Sequence, residues 1–300
     1  MDRAVQSRTA WTAADFSGPE DWCLRLDEAA LAGLASGLPS FQPMAAEIRN
    51  ILRYGRGFVV IRGLPLDRMN EQQCRELYLA LGKQIGKTVP QTVSGELLYS
   101  VRNEGIRIDA DYGKPGVRVS KTDAYFDFHT DSPSRLAGFT PDFVALLILR
   151  TAASGGESVL LNAATVYQII ERERPDVLER LSRPFWVDRR AELPPGEDPV
   201  LPVPVFTRAP ELQIRYLRLY ITKGHEFKQE PLTDAEIEAL DFFESVMRRP
   251  GLAVTVPAER GDVQIISNTR LLHSRKAYVD HDDPALRRHY LRMWLVDPAK

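Results

Sequence analysis

The chain has 300 residues, 44% of them apolar, which is ample for a sizeable core in one large domain or two smaller ones. Lys and Arg total 39 against 41 Asp and Glu, a net charge of -2, and no basic stripe accompanies that balance, so nucleic acid is excluded as an expected partner. Two cysteines exclude a disulfide scaffold; Met1 to Arg8 carries no apolar leader and no stretch is long enough to span a bilayer, so a cytoplasmic protein without membrane contact is expected.

Residues 1–40 read as an irregular extension, and 41–300 as a single domain. A helix over 44–54 leads into a strand at 57–62, and a second helix over 70–85 places Cys74, Leu77 and Leu81 on one face, a core pattern. Residues 102–123 are polar and aperiodic; directly ahead of a catalytic-looking strand they read equally as a lid or as a plain surface excursion. Strands are expected at 124–131, 143–150 and 158–162, with a Gly-Gly hairpin turn at Ser154-Gly155-Gly156-Glu157-Ser158. Residues 163–182 read as a helix broken at Pro175, and the prolines of 189–204 mark a loop. Strands follow at 203–207 and 212–221. Thr233-Asp234-Ala235-Glu236 is a capping box opening a helix whose Ile237, Leu240, Phe243 and Met247 face the core. Further strands at 252–256, 263–267 and 287–296 make the C-terminal two-thirds mainly β. This pattern predicts a mixed α and β protein with a two-sheet β core and helices outside.

Chemistry enters at His129-Thr130-Asp131. Side chains two apart on an extended segment leave the backbone on the same side, so His129 and Asp131 can converge on one ion while Thr130 points away. A third ligand must come from another strand. The chain has only five histidines; His281 sits in a loop signature, His-Asp-Asp-Pro, and His225 in a polar stretch. His273 follows the apolar run Val263 to Ser267, entered through the turn Gly261-Asp262. Two His and one carboxylate form the facial set that holds non-haem Fe(II) and leaves the opposite face open. A lone His-x-Asp also occurs as an ordinary polar strand end; the distant His and the arginines that follow it favour the metal.

Those arginines lie in Arg287 to Val296. Arg288, Tyr290, Arg292 and Trp294 share one strand face, and His289, Leu291, Met293 and Leu295 the other. Two buried guanidiniums require anions, supplied either by a ligand carboxylate or by protein Asp and Glu. The Ser158 hydroxyl is a further donor available to a carboxylate.

The ordered set His129-x-Asp131, Gly155-Gly156-Glu157-Ser158, Gly261-Asp262, Asn268, His273, Arg288 and Arg292 resembles the TauD/TfdA family, taurine dioxygenase and its relatives. The resemblance covers roughly residues 45–297 and includes Gly57 to Gly63 and Leu81 to Gly86. It implies a double-stranded β-helix, or jelly roll, and an Fe(II)- and 2-oxoglutarate-dependent dioxygenase that releases succinate and CO2. It implies His129, Asp131 and His273 as iron ligands, Arg288 with Ser158 at the distal carboxylate of 2-oxoglutarate, and Arg292 at a substrate anion or the other cosubstrate carboxylate. Related halogenases lack the metal carboxylate, so Asp131 argues for hydroxylation or another oxidation. The aromatic segment Tyr125 to Phe128 departs from the polar stretch of taurine dioxygenase, which speaks against taurine itself. Tyr125, Phe126, Gln91 and Tyr99 are the expected substrate-pocket residues, the partner being a small, anionic organic molecule together with O2, and a homo-oligomer is compatible with the chain. The alternatives are a non-haem metal enzyme that does not use 2-oxoglutarate and a non-catalytic jelly-roll binding protein.

Overall fold

Phe143–Arg150 is apolar at nearly every position, so it must be covered on both faces, and it lies in the middle of a seven-stranded sheet. The computed structural model describes residues 10–36, 39–92, 94–106, 119–123, 125–133, 140–190 and 196–299. In the large sheet the strands run Cys23–Arg25, Phe58–Arg62, Val263–Ser267, Phe143–Arg150, His289–Val296 and Lys87–Val89, with Leu98–Val101 also on His289–Val296. Every pairing is antiparallel except that of Cys23–Arg25 with Phe58–Arg62. A four-stranded antiparallel sheet is ordered Val254–Val256, Ser158–Asn162, Leu271–Arg275, Phe126–His129.

Alternation along each strand decides which layer a side chain enters. On the outer face of the large sheet Val59, Ile61, Leu147, Ile265, Leu291, Met293 and Leu295 pack against Ile48 and Leu52 of helix Gln42–Arg53 and Tyr78 and Leu81 of helix Glu71–Ile85. On its inner face Phe58, Val60, Val144, Ile266 and Trp294 meet Leu160, Val254, Val256 and Leu271 of the small sheet. The small sheet turns Phe128, Leu161 and Leu272 outward onto helices Ala163–Glu173 and Asp234–Met247. The result is helices, sheet, sheet, helices, with each fully buried Leu or Phe worth about 1.5–3 kcal/mol of transfer free energy. Tight interlayer packing shows at Gly82, where a Cβ would lie 2.3 Å from the Met293 methyl.

Most expected elements are found within a few residues of their predicted bounds, and the Thr233–Glu236 capping box forms. Four readings differ. Residues 10–36 of the N-terminal segment are not irregular: they contribute the strand Cys23–Arg25 and the helix Glu28–Ser36, and Trp11 and Trp22 are buried against Phe58. Of the strand expected at 212–221 only Gln213–Ile214 is extended in a sheet, and its end, 218–221, instead opens the helix Arg218–Lys228; Gly224 lets this helix lie on strand Pro184–Asp188, since a Cβ there would meet the Trp186 carbonyl at 2.4 Å. Val200–Pro204 is a strand despite its prolines, because it pairs only with Pro184–Asp188 and so forms an edge. Ile237 stays 39% exposed, outside the core face of its helix. Of the segment considered as a lid, residues 107–118 lie outside the described residues. Among the described residues no helix is long and apolar enough to cross a membrane.

Candidate active site

The two sheets are joined by the turn between Val263–Ser267 and Leu271–Arg275, and Asn268 in that turn fixes the key carboxylate. Its Oδ1 accepts from the Asp131 backbone N–H at 2.7 Å, and its Nδ2 donates to the carbonyls of Asp131 at 2.9 Å and Pro141 at 3.0 Å. Thr130 points the other way, as alternation predicts, and its hydroxyl accepts from the Tyr216 N–H at 2.9 Å. Across the antiparallel ladder His129 stands directly opposite His273.

Three donors therefore converge: His129, Asp131 and His273 place one ligand atom each within 4.8 Å of one another. Nε2 of His129 and Nε2 of His273 lie 3.7 and 3.8 Å from Asp131 Oδ1. The His129 Nδ1–H donates to the Asp127 carbonyl at 2.8 Å, so its Nε2 keeps the lone pair a cation needs. Burial, followed by the charge of His129, pushes His273 down to about 3, so its imidazole is neutral. Burial alone would raise the Asp131 carboxyl, but the Arg292 guanidinium and the two imidazoles outweigh it and hold the group ionised. Two imidazoles and a carboxylate fit a divalent transition metal.

Phe126 stacks on the His129 ring at 3.8 Å and 20°, while Tyr125 is half exposed with its hydroxyl on Asp127. Of the expected pocket residues, only Phe126 thus touches a candidate ligand. Tyr99 is buried beneath the Arg292 guanidinium. Gln91 is fully buried and committed: its Oε1 accepts from Arg292 Nε at 2.8 Å, and its Nε2 donates to the carbonyls of Arg292 and Leu97. That places Gln91 behind the site as a brace for Arg292.

Arg292 itself is set against protein rather than aimed at a ligand. Its Nη1 lies 3.1 Å from Asp131 Oδ2 and 3.3 Å from Oδ1. Only its Nη2 is buried without a hydrogen-bond partner among the described residues. Of the two sources of anion left open by the sequence, the protein carboxylate satisfies most of this guanidinium.

Arg288 is the contrasting case. It is 3% exposed, and its Nε and Nη1 are buried with no hydrogen-bond partner among the described residues. The guanidinium lies 3.6 Å over the Tyr290 ring and 5.1 Å from the Tyr278 ring. Arg275 approaches the same Tyr278 ring at 5.0 Å, and burial together with the Arg288 charge lowers it to about 10. Two cations buried side by side make a strong anion site. Arg275 escaped sequence reasoning, although its position two residues after His273 puts both on the same strand face. The glycine pair shapes this corner: at Gly156, φ +78°, a Cβ would lie 3.2 Å from Tyr278 Cβ and 3.3 Å from Arg288 Nε.

Ser158, expected to donate to a cosubstrate, instead donates to Gln264 Oε1 at 2.6 Å. Gln264 is buried opposite it between the sheets and offers a nearer acceptor. Ser158, Gln264, Leu160, Val144 and His273 line a cavity of about 20 Å³, room for a single water.

A family model described as taurine catabolism dioxygenase TauD, TfdA family, matches residues 34–294. The chain is 27% identical over 324 residues to FR-33289 synthase of Streptomyces rubellomurinus, covering 98% of this chain and 91% of that protein. Among solved structures it superposes on asparagine oxygenase in complex with Fe(II), 2S,3S-3-hydroxyasparagine and succinate, with a TM-score of 0.69 at 17% identity, covering 92% and 93% of the two chains. It likewise superposes on the non-heme iron oxygenase OrfP in complex with Fe and alpha-ketoglutaric acid, with a TM-score of 0.64 at 16% identity, covering 91% and 93%. At these identities the structural likeness shows a shared fold.

Proposed function

Because the chain belongs to the TauD/TfdA family of Fe(II)/2-oxoglutarate-dependent dioxygenases, we propose that it hydroxylates an aliphatic C–H bond of a small, acid-bearing organic molecule. In this reading His129, Asp131 and His273 hold Fe(II), the two facing sheets are a double-stranded β-helix, and 41–300 act as one domain to which the N-terminal strand and helix are joined. When bound, Fe(II) and 2-oxoglutarate supply the oxidation of that bond by O2, with release of succinate and CO2.

The chain's own residues do the holding. The Asp127 carbonyl keeps His129 in the tautomer that presents Nε2, and Phe126 fixes the ring plane. Asn268 anchors the Asp131 backbone from both sides. The observation that carries the reading is the pairing of the three-donor cluster with a buried Arg288 whose Nε and Nη1 have no hydrogen-bond partner among the described residues: a cation site together with a site for an acid group. Arg288 receives the distal carboxylate of 2-oxoglutarate, with Arg275 beside it. Ser158 can join only by turning away from Gln264.

An acid-bearing substrate is supported by chemistry in the comparisons, since taurine is a sulfonate and hydroxyasparagine an amino acid. The free Nη2 of Arg292 is the remaining donor on the metal side. Iron-dependent succinate formation from 2-oxoglutarate tests the reaction class, and a screen of small sulfonates, phosphonates, carboxylates and amino acids for stimulated O2 uptake tests the substrate class. Acceleration confined to uncharged compounds would sink the anionic assignment.

A further inference from the structure

A metal carboxylate has two oxygens, and which of them the protein leaves free decides how many coordination positions it takes. The two oxygens of Asp131 are held unequally. Oδ1 faces both imidazole Nε2 atoms. Oδ2 alone accepts from the Trp294 indole N–H, at 2.7 Å, while Arg292 Nη1 straddles the carboxylate, 3.1 Å from Oδ2 and 3.3 Å from Oδ1. Trp294 and Arg292 are two apart on strand His289–Val296, so both reach inward from the same face. Arg292 is braced by Gln91, which bonds its Nε and its own carbonyl, and none of these four side chains is more than 7% exposed.

We propose that Trp294 positions Asp131 as a one-oxygen ligand by occupying Oδ2, while Arg292, braced by Gln91, restrains the carboxylate as a whole, thereby keeping a coordination position open for cosubstrate or O2. The inference rests on the reading of Asp131 as a metal ligand. An indole N–H is a donor only and cannot itself bind the cation, so it holds Oδ2 without competing for the ion. The guanidinium also offsets part of the carboxylate charge, so the bound site stays more positive and more receptive to a dianionic cosubstrate. Trp294 and Gln91 touch no reacting atom in this arrangement; they are positioning residues acting through Asp131.

The test compares wild type, Trp294→Phe and Gln91→Met loaded with Co(II). Affinity is read by chelator competition, ligand-field absorption reports coordination number, and melting of the metal-free proteins reports the fold. Trp294→Phe is expected to bind Co(II) ten- to a hundred-fold more weakly, the range for loss of a group that orients a metal ligand, and to shift the absorption toward higher coordination. Gln91→Met is expected to move both in the same direction by a smaller factor, which keeps the proposal exposed if Trp294→Phe fails to fold. Wild-type affinity and spectrum in a folded Trp294→Phe, or in Gln91→Met where Trp294→Phe does not fold, overturn the proposal alone. A wild-type protein that takes up no Co(II), or a His273→Ala variant that takes it up unchanged, overturns the metal reading and this proposal with it.

Discussion

His129 and His273 are direct partners across the antiparallel pair Phe126–His129 and Leu271–Arg275, with ring centroids 4.1 Å apart. A cation held by both rings would give that proximity a favourable purpose. His273→Ala should therefore lose stoichiometric iron and at least a hundred-fold in 2-oxoglutarate turnover, while the metal-free protein still folds. Iron content by elemental analysis and succinate release check it. Full iron content with full turnover would remove His273 from the site.

Arg288→Ala should raise the KM for 2-oxoglutarate by roughly thirty-fold or more, the equivalent of about 2–5 kcal/mol for a charge-assisted contact in a buried site. Arg275→Gln should raise it by a smaller factor. Initial rates of succinate formation against 2-oxoglutarate concentration are the measurement. An unchanged KM in Arg288→Ala would leave the cosubstrate without its expected anchor.

Asn268→Ala leaves the buried Asp131 N–H and two carbonyls short of partners, at a cost of about 1–3 kcal/mol in stability. The same change frees the Asp131 backbone, so metal affinity should fall about ten- to a hundred-fold. Chemical denaturation and chelator competition separate the two effects. A loss of stability with wild-type metal affinity would make Asn268 a purely structural turn residue.

His289 provides the pH dependence. Burial pushes it down to about 4, with Glu71 opposing and Arg150 reinforcing the shift; its Nδ1 accepts from Arg150 and its Nε2 donates to Ser100. The unfolded chain takes up a proton near pH 6.5 and the folded chain only near 4, so stability is lost as pH falls through that window. The loss should be on the order of 1–2 kcal/mol after solvent screening. Denaturation at pH 7 and pH 5 should show a smaller difference in His289→Gln than in wild type.

Much of the site was legible because its signals are local or rare. His129-x-Asp131 needs only a strand end, five histidines leave few third ligands, and alternation along 287–296 sorted Arg292 and Trp294 from Leu291 and Met293 correctly. What the sequence hid depends on contacts between distant segments. Gln91 and Arg292 are 201 positions apart, and Trp294 and Asp131 163, so nothing local marks Gln91 as a brace or Trp294 as a donor to the Asp131 carboxylate. The acceptor of Ser158 was hidden for the same reason, being Gln264 on the opposite sheet. Helix Arg218–Lys228 shows tertiary packing overriding a β-rich composition.

Strand His289–Val296 sends Leu291, Met293 and Leu295 to the helices and Arg292 and Trp294 to the space between the two sheets. A slip of one residue in its pairing with Phe143–Arg150 would exchange the two sets, driving a guanidinium into the aliphatic helix interface and methyl groups toward Asp131. A misthreaded chain would thus forfeit its hydrophobic core together with its chemistry. The register of this one strand therefore ties correct core packing to correct placement of the side chains around Asp131.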